Sequence, residues 1–220
     1  MNNPGLGGLD PELVRKTMLA AADAAATHPL AGFRPPLAVE HKWQTGFDPV
    51  TAADKDAEIA IRAVLSAQFP DHGIIGEEWD AKASAGAFDW IVDPIDGTRA
   101  FISGVPVWGT LIGLLHGGRA VAGLMAQPFT GEIYLGLSGT SIYQRHGETQ
   151  NIHTSGLTEL KRAKVTATSP DIFEQAGTVA HLNRLRAATL QTRWGLDCYG
   201  YCLLAAGHID IVAESALKNV

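Results

Sequence analysis

The most informative stretch of the sequence runs Trp90-Ile91-Val92-Asp93-Pro94-Ile95-Asp96-Gly97-Thr98. Its first three residues predict a short apolar strand, and Asp93 leaves the end of that strand. Pro94 predicts a turn that points Asp96 back toward Asp93, and Gly97 permits a tight backbone before a short helix begins near Thr98. The stretch therefore predicts a strand, a turn and a helix, with two carboxylates aimed at one place.

A third carboxylate is expected at the same place. Glu77 follows the preceding predicted strand within Gly76-Glu77-Glu78, so we expect it beside Asp93 and Asp96. No Lys or Arg lies between the two aspartates in the sequence, and like charges this close cannot all stay ionised unless something neutralises them. A divalent cation does so, and ligands that are all oxygen favour Mg²⁺ over Zn²⁺. The pattern thus predicts a magnesium site.

Gly97 and Thr98 supply the second half of a site. Backbone N–H groups at the start of a helix, beside a bound metal, form a receptor for phosphate. Carboxylates, metal and amides together indicate hydrolysis of a phosphate ester by a water nucleophile. The alternative is that Asp93 and Asp96 are turn and cap residues, since Asp-Pro and Asp-Gly are common in loops. The short motif alone leaves both interpretations open.

Helix-like and strand-like segments alternate around this stretch, which predicts a layered α/β fold. A first helix is expected from Pro11 to about Thr27, ended by Pro29. A second is expected from Thr51 to Gln68, where Thr51 and Asp54 form a capping signal. Short strands are expected over residues 73–75, 90–93, 107–115, 120–126 and 133–137.

The second half continues the alternation. We expect a strand over 164–168, a helix from Asp171, a strand near 189–193, an apolar helix over 199–206 and a strand over 209–213. The chain is expected to form two subdomains. An N-terminal α+β unit, residues 1–145, carries the metal-binding motifs, and a C-terminal α/β unit, residues 146–220, carries the residues that select the substrate.

Composition excludes several classes of partner. The 220 residues, of 23.3 kDa, hold 17 Lys and Arg against 23 Asp and Glu, a formal charge of −6. That balance argues against nucleic acid or an anionic membrane as the main partner. Residues 100–118 carry no Asp, Glu, Lys or Arg, but their glycines and Pro106 predict a loop and a buried strand rather than a membrane span.

Cellular location is predicted from two further features. The N-terminus lacks the basic and then apolar pattern of a signal peptide. Cys198 and Cys202 are four residues apart in an apolar stretch, which favours buried thiols in a reducing compartment over a metal or redox site. We therefore expect a cytoplasmic protein. His41, Lys42 and His72 show no ligand spacing and are expected in loops or at the surface.

Four motifs occur in an order that resembles the inositol monophosphatase family of magnesium-dependent, lithium-sensitive phosphatases. They are Asp48-Pro-Val-Thr51-Ala-Ala-Asp54, Gly76-Glu-Glu78, Asp93-Pro-Ile-Asp96-Gly-Thr98, and Trp194-Gly-Leu-Asp197-Cys-Tyr199 with Asp210 ahead of Glu214. The resemblance runs from about Pro11 to the last residue. It implies a layered α/β/α/β/α sandwich and a homodimer.

The resemblance also implies a set of metal ligands. Glu77 is similar to the carboxylate that binds the first metal ion and a third, weaker one. Asp93 would bridge two metal ions, and the backbone carbonyl of Ile95 would bind the first. Asp96 would hold the second and lie near the substrate. Two or three Mg²⁺ ions per site are implied, and Mn²⁺ can substitute for them.

The roles around the phosphate follow from the same resemblance. Gly97 and Thr98 would offer N–H groups to the phosphate. The Thr98 hydroxyl, with Asp48, would orient and deprotonate the attacking water. Helix capping alone accounts for Thr51 and Asp54, so Asp54 is assigned a structural role. Glu78 is assigned either to support of the ligands or to the surface.

Substrate choice depends on the groups around the leaving alcohol. Gly195-Leu-Asp197-Cys-Tyr199, followed by Glu214, resembles the histidinol-phosphate phosphatase branch, which serves histidine biosynthesis. Asp197 and Glu214 could pair with the ammonium and imidazole groups of L-histidinol phosphate. Thr168 and Ser169 are weaker candidates for lining the same pocket. Asp210 is assigned a structural role before the last strand.

Three alternatives stay open at this point. Asp197 could instead cap the apolar helix that follows it. The substrate could be inositol phosphate or another small sugar phosphate. The chain could also be a catalytically inactive binding module that kept the pocket.

The end of the sequence bears on the metal site. By the resemblance, a further metal-binding Asp is expected at the position directly after Val220. We therefore expect these residues alone to lack one ligand of the second metal ion and the closing C-terminal layer. They should bind that ion poorly and hydrolyse slowly.

Overall fold

The computed structural model describes residues 5–34 and 49–215. Within them the chain forms a seven-stranded sheet and then a three-stranded sheet. Two long helices, α1 (Pro11–Gly32) and α2 (Pro49–Gln68), precede the first strand. They pack against each other and against the large sheet.

Helix α1 runs further than the sequence predicts. Asp10 caps its start by accepting the Glu12 N–H over 3.0 Å. Pro29 lies inside the helix, which continues to Gly32 and closes with the Phe33 N–H on the Pro29 carbonyl at 2.9 Å. The prediction that Pro29 ends the helix is therefore wrong. Proline removes only its own bond to the carbonyl four residues back, and the last turn tolerates that loss.

Helix α2 begins earlier than the predicted capping signal. Pro49 starts it, and a proline suits the first helical turn because its φ is already helical and its missing N–H has no helical partner there. Thr51 therefore lies inside the helix rather than at its start. Asp54, on the second turn, is buried.

The large sheet has the order β1 to β7, with β1 parallel to β2 and every later pair antiparallel. Its strands are β1 (Gly73–Gly76), β2 (Phe88–Asp96), β3 (Gly109–His116), β4 (Arg119–Gln127), β5 (Glu132–Leu137), β6 (Thr140–Arg145) and β7 (Glu148–Asn151). The sequence predicts the first five and misses β6 and β7. Residues 100–118 form a short helix, a loop and β3, as predicted.

The main core lies between the two long helices and the large sheet. Met18, Ile61, Leu65, Trp90 and Leu114 are all fully buried there. Each large apolar side chain removed from water contributes about 1.5–3 kcal/mol to stability. The apolar faces of both helices thus hold the helices on the sheet.

Strand β2 does not turn at Pro94. Asp93 pairs with Leu111 and Asp96 with Gly109, so β2 carries one extra residue there, a β-bulge. A bulge accommodates proline because an unpaired residue needs no N–H, and it re-aims the side chains beside it. The strand therefore extends through Asp96 to α3 (Thr98–Ile102).

The small sheet is parallel, with β8 (Lys164–Ala167) between β9 (Gln191–Trp194) and β10 (Ile211–Val212). Helices α4 (Pro170–Gln175) and α5 (Val179–Ala188) cover one face, where Phe173 and Leu182 pack on Ala167.

Helix α6 (Asp197–Ala205) lies between the two sheets. Its Cys198 and Cys202 pack on Met125 and Tyr134 of the large sheet. On the other side its Gly200 faces Thr166 of β8, where an added Cβ would lie 3.0 Å from the Thr166 methyl. The layers thus run α/β/α/β/α, which confirms the predicted fold class. The division into units at residues 145 and 146 stays a prediction.

Among the helices of the described segments, none is both long and apolar enough to cross a bilayer.

Candidate active site

Strand pairing brings Glu77 beside Asp93. Gly76 pairs with Val92 in the parallel β1–β2 ladder, so Glu77 and Asp93 are the next residues along each strand. Glu77 is exposed, and its charge acts on Asp93. The predicted juxtaposition of these two carboxylates follows directly from the register.

Asp93 is the most strongly perturbed carboxyl of this group. Burial, followed by the charges of Asp96, Glu77 and Asp54, raises the pKa of Asp93 to about 8. Its Oδ1 accepts the Ile95 N–H over 3.1 Å, which opposes the shift. The negative charges of its neighbours destabilise the ionised form of Asp93, and a bound cation would stabilise that form.

The carboxylates around Asp93 are candidate ligands for a metal ion. In residues 5–34 and 49–215, no three His, Cys, Asp or Glu side chains converge in a ready-made metal cage. The chemistry of the group nevertheless fits a hard divalent cation, because the negative charges of three carboxylates, those of Asp96, Glu77 and Asp54, act on Asp93. The fold thus brings Glu77 and Asp96 near enough for their charges to act on Asp93, without a ready-made set of ligands among the described residues.

Gly97 and Thr98 follow the bulge at the start of α3. Gly97 has a φ of 83°, which favours glycine, and a Cβ there would lie 3.2 Å from Asp197 Oδ2 and from Trp108 Cα. The exposed Thr98 hydroxyl donates to the Ile95 carbonyl at 3.3 Å. The Thr98 hydroxyl and the Ile95 carbonyl, for which separate roles were predicted, are therefore in contact.

Asp96 is hydrogen-bonded to helix α6, in the second half of the chain. Its Oδ2 accepts the backbone N–H of Cys198, in the first turn of α6, at 2.9 Å. A carboxylate beside the first turn of a helix is stabilised by the unsatisfied N–H groups there. The contact joins the bulged end of β2 to the helix that carries Asp197.

A cleft of about 360 Å³ opens beside this contact. Its lining consists of Asp96, Gly97, Leu111, Thr168, Asp197, Cys198, Tyr201 and Glu214. Four of the five predicted substrate-binding residues therefore share one cavity.

Thr168 organises the carboxylate of Glu214 on one side of the cleft. The Thr168 N–H and hydroxyl both donate to Glu214 Oε1, at 2.9 and 3.0 Å. Oε2 is buried and has no hydrogen-bond partner among the described residues. Burial raises the pKa of Glu214, against the hydrogen bonds from Thr168. A buried acceptor left open in a cleft is suited to a donor from a ligand.

Asp197 occupies an unusual position. Leu196 is the cap residue of α6, and Asp197 is the first residue inside the helix, with a φ of 45°. A left-handed φ costs about 1–3 kcal/mol outside glycine and is concentrated at functional sites. Burial, and then the charge of Asp96, raises the pKa of Asp197, while Thr168 hydrogen bonding opposes the shift.

Two buried acidic residues near this group have no predicted catalytic or metal-binding role. Asp54, assigned a structural role, is buried and its charge acts on Asp93. Its only sequence signal is its place in the motif that begins at Asp48. Glu58 is fully buried and accepts Arg62 Nε at 2.7 Å and the Glu78 N–H at 2.8 Å. A glutamate four residues before an arginine is typical of an ion pair on a helix surface, and the sequence carries no other signal for Glu58.

The remaining candidates fall in different places. Asp48, with His41 and Lys42, lies outside the described residues. Asp210 accepts the Ser155 hydroxyl and the Lys164 N–H, a structural role as predicted. Ser169 caps α4.

Cys198, Cys202 and His72 are all buried. Cys198 and Cys202 are free, buried thiols, as predicted, and burial raises the pKa of both. His72, expected in a loop or at the surface, lies in a turn but is buried between aromatic rings.

The sequence of this chain is similar to those of several known phosphatases. The chain is 41% identical over 172 residues to the chloroplastic bifunctional phosphatase IMPL2 of Arabidopsis thaliana, covering 77% of this chain and 49% of that protein. It is 36% identical over 171 residues to a histidinol-phosphatase of Chlorobaculum parvum, covering 77% and 64%. The chain thus spans between about half and two thirds of the length of these curated relatives.

A solved structure and a family match agree with the fold. The structure of an inositol monophosphatase from Zymomonas mobilis superposes with a TM-score of 0.78 at 39% identity, covering 93% of this chain and 78% of that one. The sequence pattern of the inositol monophosphatase family matches residues 10–219. Since that match takes in nearly the whole chain, the protein belongs to the inositol monophosphatase family.

Proposed function

We propose that this protein is a magnesium-dependent phosphatase that hydrolyses L-histidinol phosphate to L-histidinol and phosphate, a step of histidine biosynthesis. The observation that carries the proposal is the cleft, where Asp197 and Glu214 add two carboxylates beside Asp96 and Gly97. A phosphate ester of a cationic alcohol gains charge-assisted hydrogen bonds from them. A neutral polyol gains less from the same charges.

The buried Oε2 of Glu214 favours a cationic group in particular. Its partner oxygen already accepts two bonds from Thr168, while Oε2 has none among the described residues. Leaving a buried acceptor unpaired costs about 1–3 kcal/mol, which a donor on the substrate would recover. An ammonium or imidazole N–H is such a donor.

A divalent cation would be held by Glu77, Asp93, Asp96 and the carbonyl of Ile95. When bound, Mg²⁺ neutralises the phosphate charge and lowers the pKa of water. Mn²⁺ is the expected substitute, and we propose two or three ions per site. The raised pKa of Asp93 supports this assignment, because the excess negative charge around it needs a counter-ion.

The chain's own groups would complete the reaction. Gly97 and Thr98 would direct backbone N–H groups at the phosphate, at the start of α3. Thr98 and Asp48 would orient the attacking water and take its proton, with the Thr98 hydroxyl exchanging its bond to Ile95 for one to that water. Asp197 and Glu214 would hold the leaving alcohol.

An inositol or sugar phosphate is the second candidate substrate, supported by the 39% identity to the Zymomonas mobilis enzyme. The experiment that separates the two is side-by-side turnover of L-histidinol phosphate and inositol 1-phosphate with Mg²⁺. We expect kcat/KM to favour L-histidinol phosphate by about tenfold or more, the size of one charge-assisted hydrogen bond. Equal or reversed values would assign the protein to the second substrate.

The same assay tests the third alternative, an inactive binding module. Turnover of neither ester, with Asp93→Asn no different from wild type, would support that module. We also propose a cytoplasmic homodimer that binds neither nucleic acid nor membrane. Light scattering on the purified protein would test the dimer, and fluorescence from a fusion protein in cells would test the location.

A further inference from the structure

Glu132, the first residue of β5, lies outside the proposed site. It is 8% exposed, and both of its carboxylate oxygens accept hydrogen bonds. The Thr130 hydroxyl donates at 2.6 Å, the Tyr143 hydroxyl at 2.9 Å, and the Tyr199 hydroxyl reaches both oxygens at 3.0 and 3.1 Å. A buried charge with this many hydroxyl donors is an internal anchor.

The donors come from two different layers of the fold. Thr130 and Tyr143 belong to the large sheet and its β4–β5 turn, whereas Tyr199 belongs to the first turn of α6. Glu132 therefore ties α6 to the sheet. A cavity of about 410 Å³ lies beside the carboxylate, but the hydroxyl donors already engage both oxygens, which favours an anchor over a ligand site.

The first three residues of α6 each face a different part of the molecule. Asp197 lines the cleft, the Cys198 N–H donates to Asp96, and the Tyr199 hydroxyl donates to Glu132. The rest of α6 is largely apolar, so apolar packing alone leaves its rotation and shift weakly determined. The Tyr199–Glu132 bond fixes both, one residue away from the Cys198 N–H.

We propose that Glu132, acting through Tyr199, is a positioning residue that sets the start of α6, and with it the Cys198 N–H on Asp96 and the Asp197 carboxylate in the cleft. This explains why the tyrosine stands beside Asp197 and Cys198 in the sequence. The part of the inference that concerns Asp197 and selectivity rests on the proposed function. The part that concerns Cys198 and Asp96 does not.

The test compares Tyr199→Phe with a matched control, Tyr143→Phe. Each variant removes one hydroxyl donor from Glu132 and keeps an aromatic ring. Tyr199→Phe also removes the hydroxyl that bonds Tyr134 of the large sheet, while its phenyl retains the edge contact with the Tyr134 ring, whose centroid is 6.1 Å away. Only the first variant releases α6. We expect hydrogen–deuterium exchange of the Cys198 amide to quicken by about tenfold or more in Tyr199→Phe, and to stay near wild type in Tyr143→Phe.

The second readout is substrate selectivity. The ratio of kcat/KM for L-histidinol phosphate to that for inositol 1-phosphate should fall about fivefold or more in Tyr199→Phe and hold in Tyr143→Phe. Glu132→Gln, which keeps one acceptor oxygen for Tyr199, should retain more of the amide protection than Glu132→Ala.

The outcomes are distinguishable. Equal exchange rates in the two tyrosine variants, or an unchanged rate in Tyr199→Phe, would overturn the positioning role. A wild-type protein without preference for L-histidinol phosphate would instead overturn the proposed function, and the amide exchange would still decide whether Glu132 positions α6.

Discussion

The carboxylate of Glu58, on α2, accepts the backbone N–H of Glu78 at 2.8 Å, across the path of the chain from β1. Arg62 engages the other Glu58 oxygen at 2.7 Å and also donates to the Trp79 carbonyl at 3.1 Å. The loop that carries Glu77 is thus clamped to α2 by a fully buried carboxylate. The clamp holds an exposed candidate ligand beside Asp93 without touching its side chain.

Gly76 is the position at which this clamp can be tested. A Cβ there would overlap Glu58 Oε1, so Gly76→Ala must displace the buried carboxylate. We expect a loss of about 1–3 kcal/mol in the free energy of unfolding, together with weaker Mg²⁺ binding. Urea unfolding and calorimetric Mg²⁺ titration measure the two effects.

Gly123→Ala is the control for this substitution. Gly123 lies in β4 with no atom within 4 Å of an added Cβ, so both stability and Mg²⁺ binding should stay near wild type. If Gly76→Ala behaves like Gly123→Ala, Glu58 does not hold the loop.

Asp93→Asn should separate stability from metal binding. Above about pH 8, where Asp93 is ionised in the metal-free fold, removing a charge that three carboxylates oppose should raise the stability by about 1 kcal/mol, or about 2–4 °C in Tm. The same variant should lose the thermal stabilisation that Mg²⁺ gives the wild type, and its phosphatase activity. Thermal melts with and without Mg²⁺ measure both.

Asp80→Asn, an exposed change on the loop after β1, is the matched control and should keep the Mg²⁺ shift. A metal-free Tm below that of wild type in Asp93→Asn would contradict the electrostatic account.

Asp197→Asn tests the source of selectivity. The amide keeps the shape of the side chain but not its charge, so kcat/KM for L-histidinol phosphate should fall by about 10- to 100-fold, the value of a hydrogen bond between charged groups. Turnover of inositol 1-phosphate should change much less. Asp210→Asn, which alters a carboxylate bound to Ser155 and Lys164, should lower stability and leave the ratio intact. Equal losses on both esters in Asp197→Asn would remove Asp197 from substrate selection.

His72 predicts a pH dependence of stability. Its ring stacks between Phe69 and Phe88, with centroids 4.6 and 4.8 Å away, and burial lowers its pKa. Smaller effects of both signs come from the neighbouring charges of Asp71, Lys82 and Asp89. The unfolded ring, with a pKa of about 6.5, therefore takes up its proton first as pH falls. The stability that the neutral ring contributes is complete above about pH 6.5 and is lost as pH falls toward the folded pKa.

His72→Phe should flatten this loss, because phenylalanine stacks and does not titrate. Urea unfolding between about pH 7.5 and pH 5.5 measures the slope. His181→Gln, at an exposed histidine, should keep the wild-type slope. Parallel slopes for wild type and His72→Phe would show that another group titrates.

Sequence periodicity sufficed for elements with a strong apolar pattern. Apolar residues at helical spacing, such as Met18 in α1 and Ile61 in α2, predict both long helices. The apolar runs of β2 to β4 predict the centre of the large sheet. Strands β6 and β7 were missed because β7 is exposed throughout and β6 has no buried residue. Their signal lies in the turns: Ser138-Gly139 and His146-Gly147 each have two successive positive φ values, as tight hairpins require.

The site was predictable to the extent that its residues lie in ordered motifs. The register of β1 and β2 makes neighbours of Glu77 and Asp93, and the resemblance assigned Asp96, Gly97, Asp197 and Glu214. The supporting roles of the two buried glutamates could not be predicted in this way. Glu58 and Glu132 act through partners that only the tertiary fold brings to them, and a buried glutamate reads in sequence as an ordinary surface residue.

The bond between the Cys198 N–H and Asp96 spans 102 positions of the chain. Closing a loop of that length costs entropy before the contact contributes any stability. From β2 to β7 the large sheet, in contrast, pairs only strands that are consecutive in sequence, so it can assemble on the ribosome while residue 198 is still unsynthesised. Among the described residues the cleft then forms after the large sheet, and the nascent protein acquires this sheet before it acquires the cleft.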